Sequence, residues 1–329
     1  MNFFLHILIF IIVLLTYIHV MHEYKTSEDL EIYEFDYKDN TYLQEVCELK
    51  QPAIFSLNEI IPEFYGNINS DILDEFTESE LKIKETNDYW IENASIDYIL
   101  LPCQSSINLM KTDTHNNYFT EENENFILET SFASHYNAMD SLLKPPFSVN
   151  TTYDIMTGAE KSATPLRYHM NSRKFLSVNS GKIRVKLTPW KSSKYLYPIK
   201  DYECFEFRTP INIWKPQRKY FHEMDKMKFL EFDVSQGKTL YIPPYWWYSI
   251  QYSNDSTIVC SCTYSSITNY IANCKDIGLY YLQQSNTKTK ITKTIDLDNI
   301  NNSEKLNDTT SENIKDDEII NSDIHKSDV

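Results

Sequence analysis

Residues 237–252, GKTLYIPPYWWYSIQY, leave this chain few folds to choose from. A two-residue alternation sets Thr239, Tyr241, Trp247, Ser249 and Gln251 apart from Leu240, Ile242, Trp246, Tyr248 and Ile250, which is the pleat of strands with two unlike faces. Pro243 and Pro244 have no amide donor and cannot lie inside a helix or a central ladder, so the chain must turn there. The stretch predicts two strands joined at a tight Pro-Pro corner. Upstream, residues 175–178, a turn at 179–181 and residues 182–187 read as a hairpin. In its second strand Ile183, Val185 and Leu187 face one way and Lys182, Arg184 and Lys186 the other. Further strands are expected over 49–56, 97–101, 229–234 and 256–264. Helices are expected over 70–85 with Ser70 as cap, over 121–132, 135–143 and 267–284, and in part over 26–48, where Leu30, Tyr33 and Tyr37 share a helix face.

Composition narrows the function classes. At 329 residues the chain can hold one large domain with a full core. It has five glycines and neither a G-x-G-x-x-G nor a P-loop run, which argues against a nucleotide enzyme. A net charge of −16 argues against nucleic acid as a partner, because that affinity depends on Lys and Arg displacing counterions. The six cysteines lack the paired spacing of a zinc site, and Cys260 and Cys262, two apart on one strand face, read as core thiols.

Residues 3–21, beginning at Phe3 and ending at Met21, form an apolar run without formal charge, about the length of a bilayer-spanning helix. No basic leader or small-residue cleavage site accompanies it, so a retained single-pass anchor is favoured over a cleaved signal peptide. The expected organisation is an anchor over 1–22, an acidic linker over 23–44, a domain over 45–284, and a disordered acidic tail over 285–329, where aromatic residues vanish.

The run Gly-x-x-Leu-Tyr-Ile-Pro-x-Tyr-Trp-Trp within 237–247 resembles the late barrel hairpin of the JmjC and cupin-like iron, 2-oxoglutarate dioxygenases, which implies that its two strands pair with each other. It is most similar to the asparaginyl hydroxylase that acts on hypoxia-inducible factor. The chain also resembles cupin-like proteins encoded by giant DNA viruses. The resemblance covers about residues 45–284, strongest over 164–264. It implies a mainly β fold with helical additions: a double-stranded β-helix, or jelly-roll barrel, behind a transmembrane helix.

The family's chemistry needs a His-x-Asp or His-x-Glu pair and a distal histidine on iron. Matched without gaps, those positions hold Tyr168, Met170 and Ser249; shifted by one they hold His169, Asn171 and Tyr248. The position of the lysine that pairs with 2-oxoglutarate holds Ile183. The other histidines outside the anchor region and the tail are His115, His135 and His222. A ligand pocket is expected from Arg167, His169, Arg208, Tyr241, Trp247 and Ser249. The resulting expectation is a catalytically inactive, membrane-held binding or scaffold module, with no cofactor, an unidentified protein or peptide partner, and a viral or host bilayer as its seat. The alternatives are an Fe(II)/2-oxoglutarate hydroxylase with a non-standard site on His169, or a structural membrane or virion component.

Overall fold

The structure, a computed structural model, describes residues 2–286 apart from 70–72, 74, 77–78 and 92–95. The cap expected at Ser70 and the tail from residue 287 onward lie outside the described residues. In chain order the strands are β1 (Tyr33–Glu34), β2 (Ala53–Ser56), β3 (Glu80–Glu85), β4 (Tyr98–Pro102), β5 (Tyr118–Thr120), β6 (Ser148–Gly158), β7 (Arg167–Tyr168) and β8 (Arg173–Ser180). They continue with β9 (Lys182–Thr188), β10 (Ile199–Asp201), β11 (Glu206–Arg208), β12 (Leu230–Ser235), β13 (Lys238–Ile242), β14 (Trp247–Tyr252) and β15 (Ile258–Ser266). One sheet runs β1-β2-β13-β8-β15-β6-β5-β3-β4 and the other β10-β11-β7-β14-β9-β12. Helices α1 (Asn2–Glu23), α2 (Asn40–Glu48), α3 (Pro62–Asn67), α4 (Cys103–Thr112), α5 (Glu124–Glu129), α6 (Phe132–Leu143), α7 (Phe221–Met224), α8 (Ile267–Ala272) and α9 (Cys274–Asn286) are added to this mainly β frame.

The alternation read from the sequence fills the space between the sheets. Leu176, Val178, Ile183, Val185, Leu187, Val234, Leu240, Ile242, Trp246, Tyr248, Ile250 and Tyr252 form one buried apolar cluster. On β8, β13, β14 and β15 most of the alternate residues are buried too, because the outer faces of those strands are covered, whereas Lys182 and Arg184 of β9 stay exposed. Tyr168, Met170, Tyr245 and Trp247 pack beneath the aromatic loops of residues 195–229. Cys260, Cys262 and Tyr264 are likewise buried, and Tyr264 is bound through its hydroxyl to Asp140 of α6 at 2.8 Å. Gly181 turns β8 into β9 with φ +72°, a region that favours glycine. Its carbonyl accepts from Gln236 N at 3.1 Å, tying the β8–β9 turn to the β12–β13 turn.

Three expectations change. The strands on either side of Pro243-Pro244 are not partners of each other. β13 pairs with β2 and β8 in one sheet, and β14 with β7 and β9 in the other. The donor-less corner therefore carries the chain from sheet to sheet, with Tyr245 at φ +62° donating its N–H to His169 O at 2.9 Å. Residues 80–85, expected to be helical, are strand β3, because Leu81 and Ile83 bury at a period of two against β4 and β5. Residues 26–39 hold no helix. Tyr33–Glu34 pairs in parallel with β2, and α2 starts only after Asp39, whose carboxylate caps Tyr42 N at 2.8 Å.

Helix α1 is long and apolar enough to cross a membrane, with a mean hydropathy of 2.6. Its last residues are tied to α8: Glu23 accepts from Thr268 Oγ1 at 2.7 Å, and the Tyr24 hydroxyl donates to Ala272 O.

Candidate functional site

The site forms at the barrel mouth, where β7 lies between β11 and β14. Register places Arg167 opposite Arg208 on one side and Tyr248 on the other. Two like charges facing across a ladder repel. Here Glu206 relieves them, accepting from Arg167 Nη1 at 2.9 Å with one oxygen and from Arg208 Nη1 at 3.4 Å with the other. Glu121, just past β5, takes the second half of the fork. It accepts from Arg167 Nη1 at 2.7 Å and, through its other oxygen, from Nη2. Lys84 of β3 adds a 3.1 Å bond to Glu121 and a 3.0 Å pair with Glu122, and Asp201 holds Arg208 at 3.0 Å. The Arg167 guanidinium lies 5.7 Å from the Tyr248 ring centre, and that of Arg208 5.7 Å from Tyr89.

Lys84, Glu121, Arg167, Glu206 and Arg208 are all buried. Burial by itself raises a carboxyl, yet the Arg167 and Lys84 charges outweigh it at Glu121 and hold that group well below the usual carboxylate range. At Glu206 burial prevails and the carboxyl is raised. His169, next on the inward face, is pushed down to about 3, first by burial and then by the Lys174 charge, so its ring is neutral. Its Nε2 lies 3.0 Å from Ile242 O, which fixes the proton there. Asp154 of β6 caps the amides of Glu122 and Asn123 at 2.8 Å each, and burial raises it to about 6 against those bonds. Glu121, Asp154, Arg167, His169 and Glu206 line a cavity of about 150 Å³, which shares Asp154, Asn171 and Lys174 with a polar cleft of about 570 Å³ outside it.

Of the residues expected to form a pocket, Arg167 and His169 line the cavity and Arg208 joins its ion network. The other three do not. Tyr241 faces α2 and donates to Cys47 O at 3.3 Å, Trp247 donates to Ser193 Oγ at 2.7 Å on the outer face, and Ser249 lies between Trp214 Nε1 and Thr164 O. Side-chain period explains this: each sits one residue out of step with the inward set. Of the two readings of the ligand positions, Tyr168, Met170, His169, Asn171 and Tyr248 all reach the cavity wall and Ser249 does not; Tyr168 and Met170 also pack in the outer cluster with Trp247, whereas His169 lies against Tyr248 of the interior cluster. Ile183 is fully buried in the apolar interior. His135 is hydrogen-bonded to Asn67 on the helical layer, and His222 belongs to α7.

Glu206 was legible in principle, two residues before Arg208 on one strand face. Glu121 carries no local signal; the pairing of β5 with β3 and β6 brings it to the mouth.

These residues do not fit an iron centre. Among the described residues the mouth offers one histidine, whose Nε2 proton goes to Ile242 O and whose Nδ1 lone pair has no second histidine beside it, and the Asn171 amide donates to Ser265 Oγ at 2.9 Å. Two carboxylates that might have served are bound to guanidinium and ammonium groups. Among the described residues no group of three His, Cys, Asp or Glu side chains could hold a metal ion.

Comparison with known proteins places residues 61–270 in the family model described as the cupin-like domain. The chain is also similar to JmjC domain-containing protein D of Dictyostelium discoideum, 26% identical over 102 residues. That match spans 31% of this chain and 22% of the relative's length.

Proposed function

Starting from a chain that belongs to the cupin-like domain family, we propose a membrane-anchored cupin-like protein that has given up iron and 2-oxoglutarate chemistry and serves as a binding or scaffold module. One observation carries this reading: the inward positions of the barrel mouth are filled by the Arg167–Glu121–Glu206 ion cluster. A guanidinium there supplies a fixed positive charge and no metal ligand, and its two terminal nitrogens are already taken by Glu121 and Glu206. Ile183 puts an apolar side chain where the resemblance expects the lysine that pairs with the 2-oxoacid.

The polar cleft outside the cavity, edged by Phe205, Tyr270, Tyr280 and Tyr281, supports a protein or peptide partner, since aromatic rims favour such contacts. The attachment of Glu23 and Tyr24 to α8 supports a helix α1 that stays with the domain as an anchor.

The test is metal and turnover analysis of the full chain in mild detergent, purified without oxygen and titrated with Fe(II) and 2-oxoglutarate. No stoichiometric iron and no succinate are expected. Stoichiometric iron that disappears in His169→Ala would overturn the inactive reading and favour a hydroxylase with a site built on that histidine.

A further inference from the structure

We propose that the cleft between α1 and the domain is a binding site for an anionic phospholipid, its phosphate on Lys50 and Arg173 and an acyl chain along α1 and α8. This rests on the reading of α1 as a retained membrane helix. The cleft encloses about 560 Å³, the size of a small-molecule site.

Its two walls differ in chemistry. On one side stand Lys50 and Arg173, only 8% and 4% exposed. Neither has a carboxylate at ion-pair distance among the described residues. Arg173 Nη1 instead donates to two neutral oxygens, Leu143 O at 3.0 Å and Asn40 Oδ1 at 3.4 Å. The carboxylates that also face the cleft are engaged elsewhere: Glu23 with Ser266, Thr268 and Asn269, and Glu48 with His22 at 3.2 Å. Burying cations without a counter-ion is costly, so this wall is incomplete until an anion arrives. Phosphate suits it, because guanidinium presents paired donors to phosphate oxygens.

The opposite wall is mainly apolar, with Leu15 and Val20 of α1, Ile267 and Ile271 of α8, and Phe147 at the edge; Thr16 and His19, which also line it, are bonded to carbonyls of their own helix at 2.8 and 2.7 Å. Phe147 is 80% exposed, Ile267 48% and Ile271 46%, although this face adjoins the last turns of the apolar helix. An acyl chain continuing the bilayer along α1 would cover them. A free anion would leave this wall bare. Anionic headgroups at a membrane surface attract basic pockets of this kind.

The test uses the full chain in a neutral maltoside detergent, with three probes: dioctanoyl phosphatidic acid, dioctanoyl phosphatidylcholine and inorganic phosphate. Saturable binding of the phosphatidic acid is expected, about tenfold or more tighter than either other probe, a gap of about 1.4 kcal/mol. Arg173→Gln should weaken it by a similar factor. Ile271→Trp, on an exposed position, should block the acyl wall and weaken it even if Arg173→Gln fails to fold. Equal binding of phosphatidylcholine, inorganic phosphate as tight as the lipid, or binding undiminished in Ile271→Trp would each overturn the proposal. The anchor reading is tested apart, by alkaline carbonate extraction of the full chain from membranes. Release overturns the anchor; retention without phosphatidic acid binding overturns the lipid site alone.

Discussion

The far end of the barrel, lined by Val178, Ile183, Val185, Val234 and Leu240, is apolar throughout, whereas the mouth, level with Leu187 further along β9, is crossed by five buried charged side chains. At the far end each side chain contributes through its own contact area, and neighbours can be exchanged for others of like volume. At the mouth no group is tolerable without its partners, since each buried charge is costly alone. A scaffold can therefore keep its far end by hydrophobic pattern and have its chemistry replaced wholesale at a handful of inward positions.

The largest effect expected from breaking this contrast is at the mouth. Arg167→Met leaves Glu121 and Glu206 buried beside each other without their main cation and should cost about 3–5 kcal/mol in urea unfolding. Adding Glu121→Gln should recover part of that loss, so the double variant falls well short of the sum of the singles. A strictly additive double would show that the cluster does not act as a unit.

At the far end, Leu240→Ala removes a fully buried side chain and should cost about 2–5 kcal/mol. Combined with Arg167→Met it should add, because the two sites share no partner. Strong coupling between them would break the distinction between the two ends.

A pH effect sharpens the comparison further. His169 has a folded value of about 3, below its unfolded value of ~6.5, so it is the neutral ring that the fold favours. Its contribution is complete above the unfolded value and is lost as pH falls from about 6.5 toward 3. Asp154, raised to about 6, acts in the opposite sense, losing stability as pH rises from ~3.8 to that value. The difference between the native chain and His169→Gln isolates the histidine: the variant should show a flatter decline between pH 6.5 and 3 in urea midpoints. An unchanged slope would mean that the ring is not held neutral.

The smallest effect belongs to the outer face. The Arg184–Glu231 pair, 2.7 Å apart but half exposed on both sides, should contribute at most about 1 kcal/mol, and Arg184→Gln should barely move the unfolding midpoint.

Much of this was legible without coordinates. The period of two over 182–187 and 238–252 named the side chains that fill the interior, Gly181 marked the β8–β9 turn, and the prolines marked the corner. Residues 80–85 misled because a short run of charged and apolar residues fits either period, and only pairing with β4 and β5 decides between them. The pocket reading failed at Tyr241, Trp247 and Ser249 for a related reason: on β13 and β14, which are covered on both faces, outward residues include aromatics as inward ones do, so composition does not tell the faces apart there.

What the sequence determined by itself was therefore local: which residues share a face and where the chain turns. Long-range pairing decided the rest. It placed β13 and β14 in different sheets, chose between Tyr168 and His169 as the residue that looks inward, and brought Glu121 to Arg167 across 46 residues of chain. The physical reason is that alternation fixes relative orientation along one strand, while register between strands fixes what each face meets. A charge buried at the mouth becomes intelligible only when its partner, from another strand, is in place.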